Sequence, residues 1–210
     1  MKLVVFGASG GTGRELVRQA LAQGNLVTAF LRDPVKLGLK HANLNVLRGD
    51  VTDRAAVERA VAGRDAVLCA LGSSSVQKRD AALVEGVQNI IDAMGRAGVR
   101  RLIYQSYLGV RDSRDQLGFV GQRVIAPFLL RNPVADHEEK EALITHSRLD
   151  WTIVRPPKLT DGRRTGAYRS GERLEPRSIF PTISRADVAE FMLRQVTDAA
   201  FLRKAASVMP

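Results

Sequence analysis

Lys2-Leu-Val-Val-Phe-Gly-Ala-Ser-Gly-Gly-Thr-Gly-Arg-Glu-Leu16 is the stretch from which the rest of the chain can be read. Residues 3–6 form an apolar run, the mark of a buried strand, and the spacing of Leu16, Val17, Ala20 and Leu21 predicts a helix that begins as soon as the glycines stop. Between the two stand Gly7, Gly10 and Gly13, in the spacing G-x-x-G-x-x-G. A strand that turns tightly into a helix leaves the first helical N–H groups free at the positive end of the helix dipole, and glycines let a pyrophosphate reach them. Residues 26–31 read as a second strand after the Gln23-Gly24-Asn25 turn, completing a β-α-β unit of the kind that binds dinucleotides.

The 210 residues, 45% hydrophobic and 26% charged, suit one ordered α/β domain with a modest extra lobe. Lys and Arg number 32 against 22 Asp and Glu, and the resulting charge of +10 favours anionic partners. The basic residues are spread along the chain, with Arg100-Arg101 and Arg163-Arg164 as pairs, and aromatics are only 5%. No stacking platform or recognition helix emerges, so no specific nucleic-acid partner is expected. The single Cys69 excludes an intramolecular disulfide and sits in a strand-like run as a small buried residue. His41 and His146 are isolated, and no metal site is expected. No apolar stretch approaches the roughly 18 residues of a membrane span, and no signal peptide precedes the first strand. The expectation is a cytoplasmic protein with no membrane partner, a monomer or weak homodimer.

Further along, the second strand ends at Arg32, the point that faces the adenosine ribose in a dinucleotide fold. An acid there suits NAD and an arginine suits the 2′-phosphate of NADP. Arg32, with Arg14 and Lys36 to add charge, favours NADP (NADPH); Asp33, one residue on, is the feature that would serve a ribose hydroxyl instead. A third strand at 43–48 leads to Asp50-Val51, a corner where an adenine fits between a carboxylate and a backbone N–H, and Thr52 is the expected cap of a helix at 53–62. A fourth strand at 66–71 ends in Gly72-Ser73-Ser74-Ser75, small residues that let backbone approach a ligand at the carboxyl end of the sheet. A helix at 79–97 carries Val84, Val87, Ile90, Ile91 and Met94 on its core face. A fifth strand at 101–105 runs into Ser106, and the irregular segment 110–133 has the character of a substrate loop. Then come a helix at 136–146, a sixth strand at 150–155 broken by Pro156-Pro157, a loop or hairpin at 160–178, a helix at 188–196 opened by Ser184-x-x-Asp187, and a short strand at 205–208. This alternation predicts a doubly wound parallel sheet, a Rossmann fold, with a small C-terminal substrate lobe: one NAD(P)-binding domain over 1–210, with 110–133 and 156–183 as its substrate-side loops.

These motifs resemble the atypical short-chain dehydrogenase/reductases of the NmrA-like branch, and within it the flavin reductase / biliverdin-IX-beta reductase group. The likeness rests on Phe6-Gly-Ala-Ser-Gly-x-Thr-Gly, Leu31-Arg-Asp, Gly49-Asp-Val, Glu85-Gly-x-x-Asn89, Asp136-His137, Pro156-Pro157 and Phe191-Met-Leu-Arg. It implies that Gly7, Ser9, Gly10, Gly11, Thr12 and Gly13 hold the phosphates of NADP and that Arg32 holds its 2′-phosphate. Asp50 and Val51 would take the adenine, and Leu71, Gly72 and Ser73 the adjoining ribose. Pro156 would line the nicotinamide, with Ser106, His137 and Lys158 as the catalytic side. The chain departs from the group in two places. Lys158 stands where the group has a histidine, and Tyr-x-x-x-Lys is absent, since Tyr104, Tyr107 and Tyr168 are followed four residues on by Leu108, Arg111 and Glu172. Deprotonating an alcohol normally needs a positioned base, so reduction of an anionic, aromatic or conjugated acceptor such as a flavin, quinone or bilin-like tetrapyrrole is the expected activity. The alternative is a non-enzymatic NADP-binding redox sensor or scaffold. A nucleotide-sugar epimerase lacks its tyrosine.

Overall fold

The computed structural model describes residues 1–72, 79–117, 131–178 and 180–210. In chain order the elements are β1 (Lys2–Phe6), α1 (Gly11–Ala22), β2 (Leu26–Leu31), β3 (Leu44–Arg48), α2 (Arg54–Val61), β4 (Ala66–Cys69), α3 (Ala81–Ala97), β5 (Arg101–Gln105), α4 (Arg131–His146), β6 (Asp150–Arg155), β7 (Lys158–Thr160), β8 (Arg169–Gly171), β9 (Thr182–Ser184), α5 (Arg185–Arg194) and β10 (Lys204–Met209). Short 3₁₀ stretches lie at Pro34–Lys36 and Arg111–Leu117.

Eight strands form one sheet in the order β3-β2-β1-β4-β5-β6-β10-β8. Its strands run parallel except β8, which lies antiparallel to β10 on the edge. β7 and β9 pair parallel in a separate small sheet. β1 is central because residues 3–6 are apolar on both faces, and alternate side chains serve opposite layers. Leu3 and Val5 join the cluster built with Leu16 and Val17 of α1 and Val188 and Phe191 of α5. Val4 and Phe6 join Val57 of α2, Ile90 of α3 and Ile144 of α4 on the other face. The strand order reverses between β1 and β4, and in such sheets the crevice for ligands lies at the carboxyl ends of the strands on either side of that reversal.

Several expected boundaries shift. α2 is capped by Asp53, whose carboxylate accepts from the Ala56 N–H at 3.1 Å, and not by Thr52, because both the N–H and the hydroxyl of Thr52 are already given to Asp50 at 3.0 and 2.9 Å. α4 begins at Arg131, five residues before the expected start, so Pro133 falls in its first turn, where a missing N–H is tolerated. Residues 118–130 of the expected substrate loop lie outside the described residues. In the segment expected to be loop or hairpin, β8 joins the main sheet, while β7 and β9 pair across a long sequence interval.

Two polar anchors hold α5 at its ends. At the carboxyl side of the sheet, Ser184 caps the helix and Asp187 accepts from the N–H of Thr165 at 2.7 Å, the hydroxyl of Thr165 at 2.9 Å and the N–H of Gly166 at 2.8 Å. At the amino side, Arg101 donates from Nε and Nη2 to the Gln195 carbonyl at 3.0 and 2.5 Å, and from Nη1 to the Asp150 carbonyl at 2.8 Å.

Candidate active site

A cleft of about 450 Å³ opens at the carboxyl ends of the central strands. One wall is the glycine turn. Gly7 adopts φ +78°, and a Cβ there would stand 2.5 Å from the Ala70 carbonyl oxygen; a Cβ on Gly13 would run into the Gly7 carbonyl. The chain therefore turns from β1 into α1 with its backbone closely packed on itself. Gly10 caps α1 with no side-chain hydrogen bond, whereas α2, α3 and α5 are capped by Asp53, Asp80 and Ser184. The first-turn N–H groups of α1 thus have no partner inside the helix or from a cap, and they face a space that a side chain would fill. Gly7, Ser9, Gly10, Gly11 and Thr12 line this part of the cleft, with Thr12 itself largely buried.

The far end is formed by Arg32, Asp50 and Val51. Asp50 fixes its own turn through Thr52, and these two hydrogen bonds, together with the charge of Arg32, hold its carboxyl below the ordinary carboxylate range despite partial burial. The corner is therefore negative beside a positive guanidinium. Val51 is placed by α3, whose Asn89 donates to the Val51 carbonyl at 3.0 Å, and Gly86 leaves room for the Val51 side chain. This gives the Glu85-Gly-x-x-Asn89 motif its physical role. Leu71 and Gly72 line the cleft as expected, and Ser73 lies outside the described residues. Arg14 does not reach the cleft: its Nη2 donates to the Lys36 carbonyl at 2.8 Å and pins the turn after β2.

On the opposite wall the structure separates the expected residues. Gly13 is buried in the turn and does not line the cleft, and neither do Ser106, His137, Pro156 and Lys158. Ser106 follows Gln105, which does line it. The Ser106 hydroxyl and the Gln105 side-chain oxygen are both buried with no hydrogen-bond partner among the described residues. Orphaned buried oxygens at a cleft suit a ligand that carries donors, as a carboxamide does. The Pro156 carbonyl accepts from the Leu108 N–H at 2.9 Å, and Lys158 is exposed at the start of β7.

His137 stands 3.0 Å by Nδ1 from the hydroxyl of the fully buried Tyr104. Burial and the neighbouring Lys140 push its pKa down to about 3, while burial raises that of Tyr104 well above the ordinary phenol value. Both partners are therefore neutral near pH 7. The other tyrosines are no closer to the chemistry: burial raises the pKa of Tyr107, and the hydroxyl of Tyr168 donates to Glu190. No tyrosine lies among the described residues of the cleft.

The residues missed in the sequence are Gln105, Leu159, Asp80, Ala82, Leu83 and above all Arg185. Asp80 is held by Asp136, which accepts from the Asp80 N–H at 2.8 Å and from Arg79 Nε at 3.0 Å, so the Asp136 of the Asp136-His137 pair pins the start of α3 to the cleft rim. The capping box Ser184-x-x-Asp187 marks the helix that Arg185 opens, but nothing local to it points to the cleft.

The family model described as NAD(P)H-binding matches residues 7–199. The UPF0659 protein YMR090W of Saccharomyces cerevisiae is 27% identical over 205 residues, covering 93% of this chain and 87% of that protein. The chain spans a smaller part, 31% and 46%, of curated oxidoreductases that it also matches. Among solved structures, ChuY, an anaerobilin reductase from Escherichia coli O157:H7, superposes with a TM-score of 0.78 at 23% identity, covering 99% of this chain and 96% of ChuY. A short-chain dehydrogenase/reductase of Veillonella parvula in complex with NADP gives a TM-score of 0.77 at 19% identity, covering 99% of this chain and 93% of that one. Among the described residues no helix is long and apolar enough to cross a membrane. With a closely packed glycine turn at the head of the cleft and a family match over almost its whole length, the chain belongs to the NAD(P)H-binding family.

Proposed function

We propose that this protein is an NADPH-dependent reductase of a conjugated acceptor, a flavin, quinone or bilin-like tetrapyrrole, acting in the cytoplasm. The observation that carries the reading is a cleft with phosphate-binding and orienting groups but no tyrosine among its described residues. Gly7, Ser9, Gly10, Gly11 and Thr12 would hold the diphosphate, Arg32 the 2′-phosphate, and Asp50 and Val51 the adenine. The bound nicotinamide supplies the hydride. What the chain then contributes is orientation: Gln105, on the cleft wall, offers a buried acceptor oxygen that fixes the carboxamide and so the ring face presented to the acceptor, with the Ser106 hydroxyl buried just behind the wall at the next position. A conjugated acceptor takes its proton from water, and the neutral, mutually bonded Tyr104 and His137 are not called upon. Lys158, on the segment after β6, stabilises negative charge on the acceptor or binds its carboxylates. The resemblance to the flavin and biliverdin reductase group, and a fold shared with an anaerobilin reductase, support this acceptor class.

The test is NADPH oxidation, followed at the nicotinamide absorbance, with flavin, quinone and bilin acceptors in parallel, comparing wild type with Arg32→Ala. Turnover with at least one acceptor is expected, and Arg32→Ala should weaken NADPH binding much more than NADH binding, since a bidentate guanidinium suits a phosphate dianion. Tight NADPH binding without turnover on any acceptor would move the protein to the redox-sensor reading; equal loss of NADPH and NADH affinity would remove the cofactor preference.

A further inference from the structure

Arg185 is the first residue of α5, more than 150 positions from the glycine turn, yet its side chain lies across Gly11. A Cβ on Gly11 would stand 2.6 Å from Arg185 Nε. The guanidinium therefore overhangs the start of α1, where the first-turn N–H groups have no cap. Its backbone is fixed by the Ser184 cap and by Asp187, which also holds the 161–166 loop. Among the described residues its acid partner is Asp161, at 2.6 Å from Nη1, on a side chain that is 88% exposed where that of Arg185 is 29% exposed. An ion pair so open to water contributes little to folding. A semi-buried arginine is thus held over an anion-binding helix end by a counter-ion that solvent can readily replace.

We propose that Arg185 closes the cofactor cleft over Gly11 of the glycine turn, exchanging the Asp161 carboxylate for the diphosphate linker of the bound dinucleotide. The inference rests on the cofactor reading above and adds a second cationic contact at the other end of the cleft from Arg32. The ligand chemistry is a diphosphate anion, matched by the planar fork of donors that a guanidinium presents. Arg32 sits by Asp50 and discriminates the 2′-phosphate; Arg185 sits by Gly11 and is blind to it.

The two roles give different binding patterns, measured as dissociation constants by nucleotide fluorescence or calorimetry. Arg185→Ala should raise those of NADPH and NADH by the same factor, roughly ten- to a hundredfold, the range of one lost charge-assisted hydrogen bond. It should leave the weaker binding of adenosine 2′-monophosphate, which has no diphosphate, unchanged. Asp161→Asn should tighten both dinucleotides about two- to fivefold, because a competing carboxylate is removed from an exposed pair. Arg185→Gln, which keeps the aliphatic stem over Gly11, should reproduce the loss and serves where Arg185→Ala lowers the melting temperature. Unchanged NADPH and NADH affinity in both Arg185 variants would overturn the proposal, as would a loss confined to NADPH. Failure of the wild type to bind either dinucleotide would instead strike the reading on which the proposal rests.

Discussion

Lowering the pH should unload stability from this protein before its carboxylates titrate, and His137 is the reason. Burial and the charge of Lys140 hold its pKa at about 3 in the folded chain, against an ordinary value of 6.5. The folded value is the lower one, so between the two pH values the unfolded chain binds the proton and the folded one does not; stability is complete above 6.5 and declines as the pH falls. From pH 7.5 to 5.0 the unfolded imidazole becomes almost fully protonated while the folded one stays neutral, a loss of about 2 kcal/mol at 1.36 kcal/mol per pH unit over about 1.5 units. Carboxylates held low, among them Asp50 and Asp187, act below this window. Urea unfolding of wild type and His137→Gln, followed by the single Trp151 buried on β6, measures the effect at four pH values across the window. The variant should be less stable at pH 7.5 and lose little more on going to pH 5.0. Parallel declines in the two proteins, or an imidazole that titrates near pH 6.5 in the folded state by NMR, would refute the argument and restore His137 as a proton carrier.

Two further pairs of substitutions test the frame. Gly13→Ala drives a methyl into the Gly7 carbonyl and should cost about 3 kcal/mol in urea unfolding together with dinucleotide binding, while Gly72→Ala, whose Cβ meets open space, should stay within about 0.5 kcal/mol. Glu141→Gln breaks a buried pair in which Glu141 Oε2 lies 2.6 Å from Arg155 Nη2, with side chains 0% and 4% exposed, and should cost about 3–5 kcal/mol; Asp112→Asn, on the exposed side of the same arginine, should cost less than about 1 kcal/mol by the same measurement.

The glycine turn, β2, β5 and β6 are legible in the sequence because each is a short apolar run with an abrupt polar or glycine boundary, and the adenosine end of the cleft follows from them at fixed spacing. β7 and β9 are not legible: three-residue strands paired across 21 intervening residues carry no periodicity of their own. The start of α4 fell inside the segment 110–133 that reads as irregular, because a proline in a first turn leaves no helical signal of its own. The same locality divides the site. Ser9, Thr12, Arg32 and Asp50 belong to contiguous motifs, whereas Arg185, Leu159 and Gln105 reach the cleft only because strand order brings distant segments to one sheet end. His137 falls in a helix as read, but its protonation depends first on burial and then on Lys140 one turn on, and burial by other elements is encoded by no spacing rule.

The anchoring of α5 at both ends bears on how a ligand enters. Its ten residues span about 15 Å, with Arg101 gripping the carbonyls at the base and Asp187 binding the loop at the top. Hydrogen bonds at both ends oppose a swing of the helix. Rotation of the Arg185 side chain, a motion of picoseconds to nanoseconds and not the microseconds of a moving helix, is then the expected way to open the path over Gly11. Association should accordingly be set by diffusion and the basic field of the protein, slowing as salt is added, with the amides of α5 equally protected from hydrogen exchange in the free and the loaded protein.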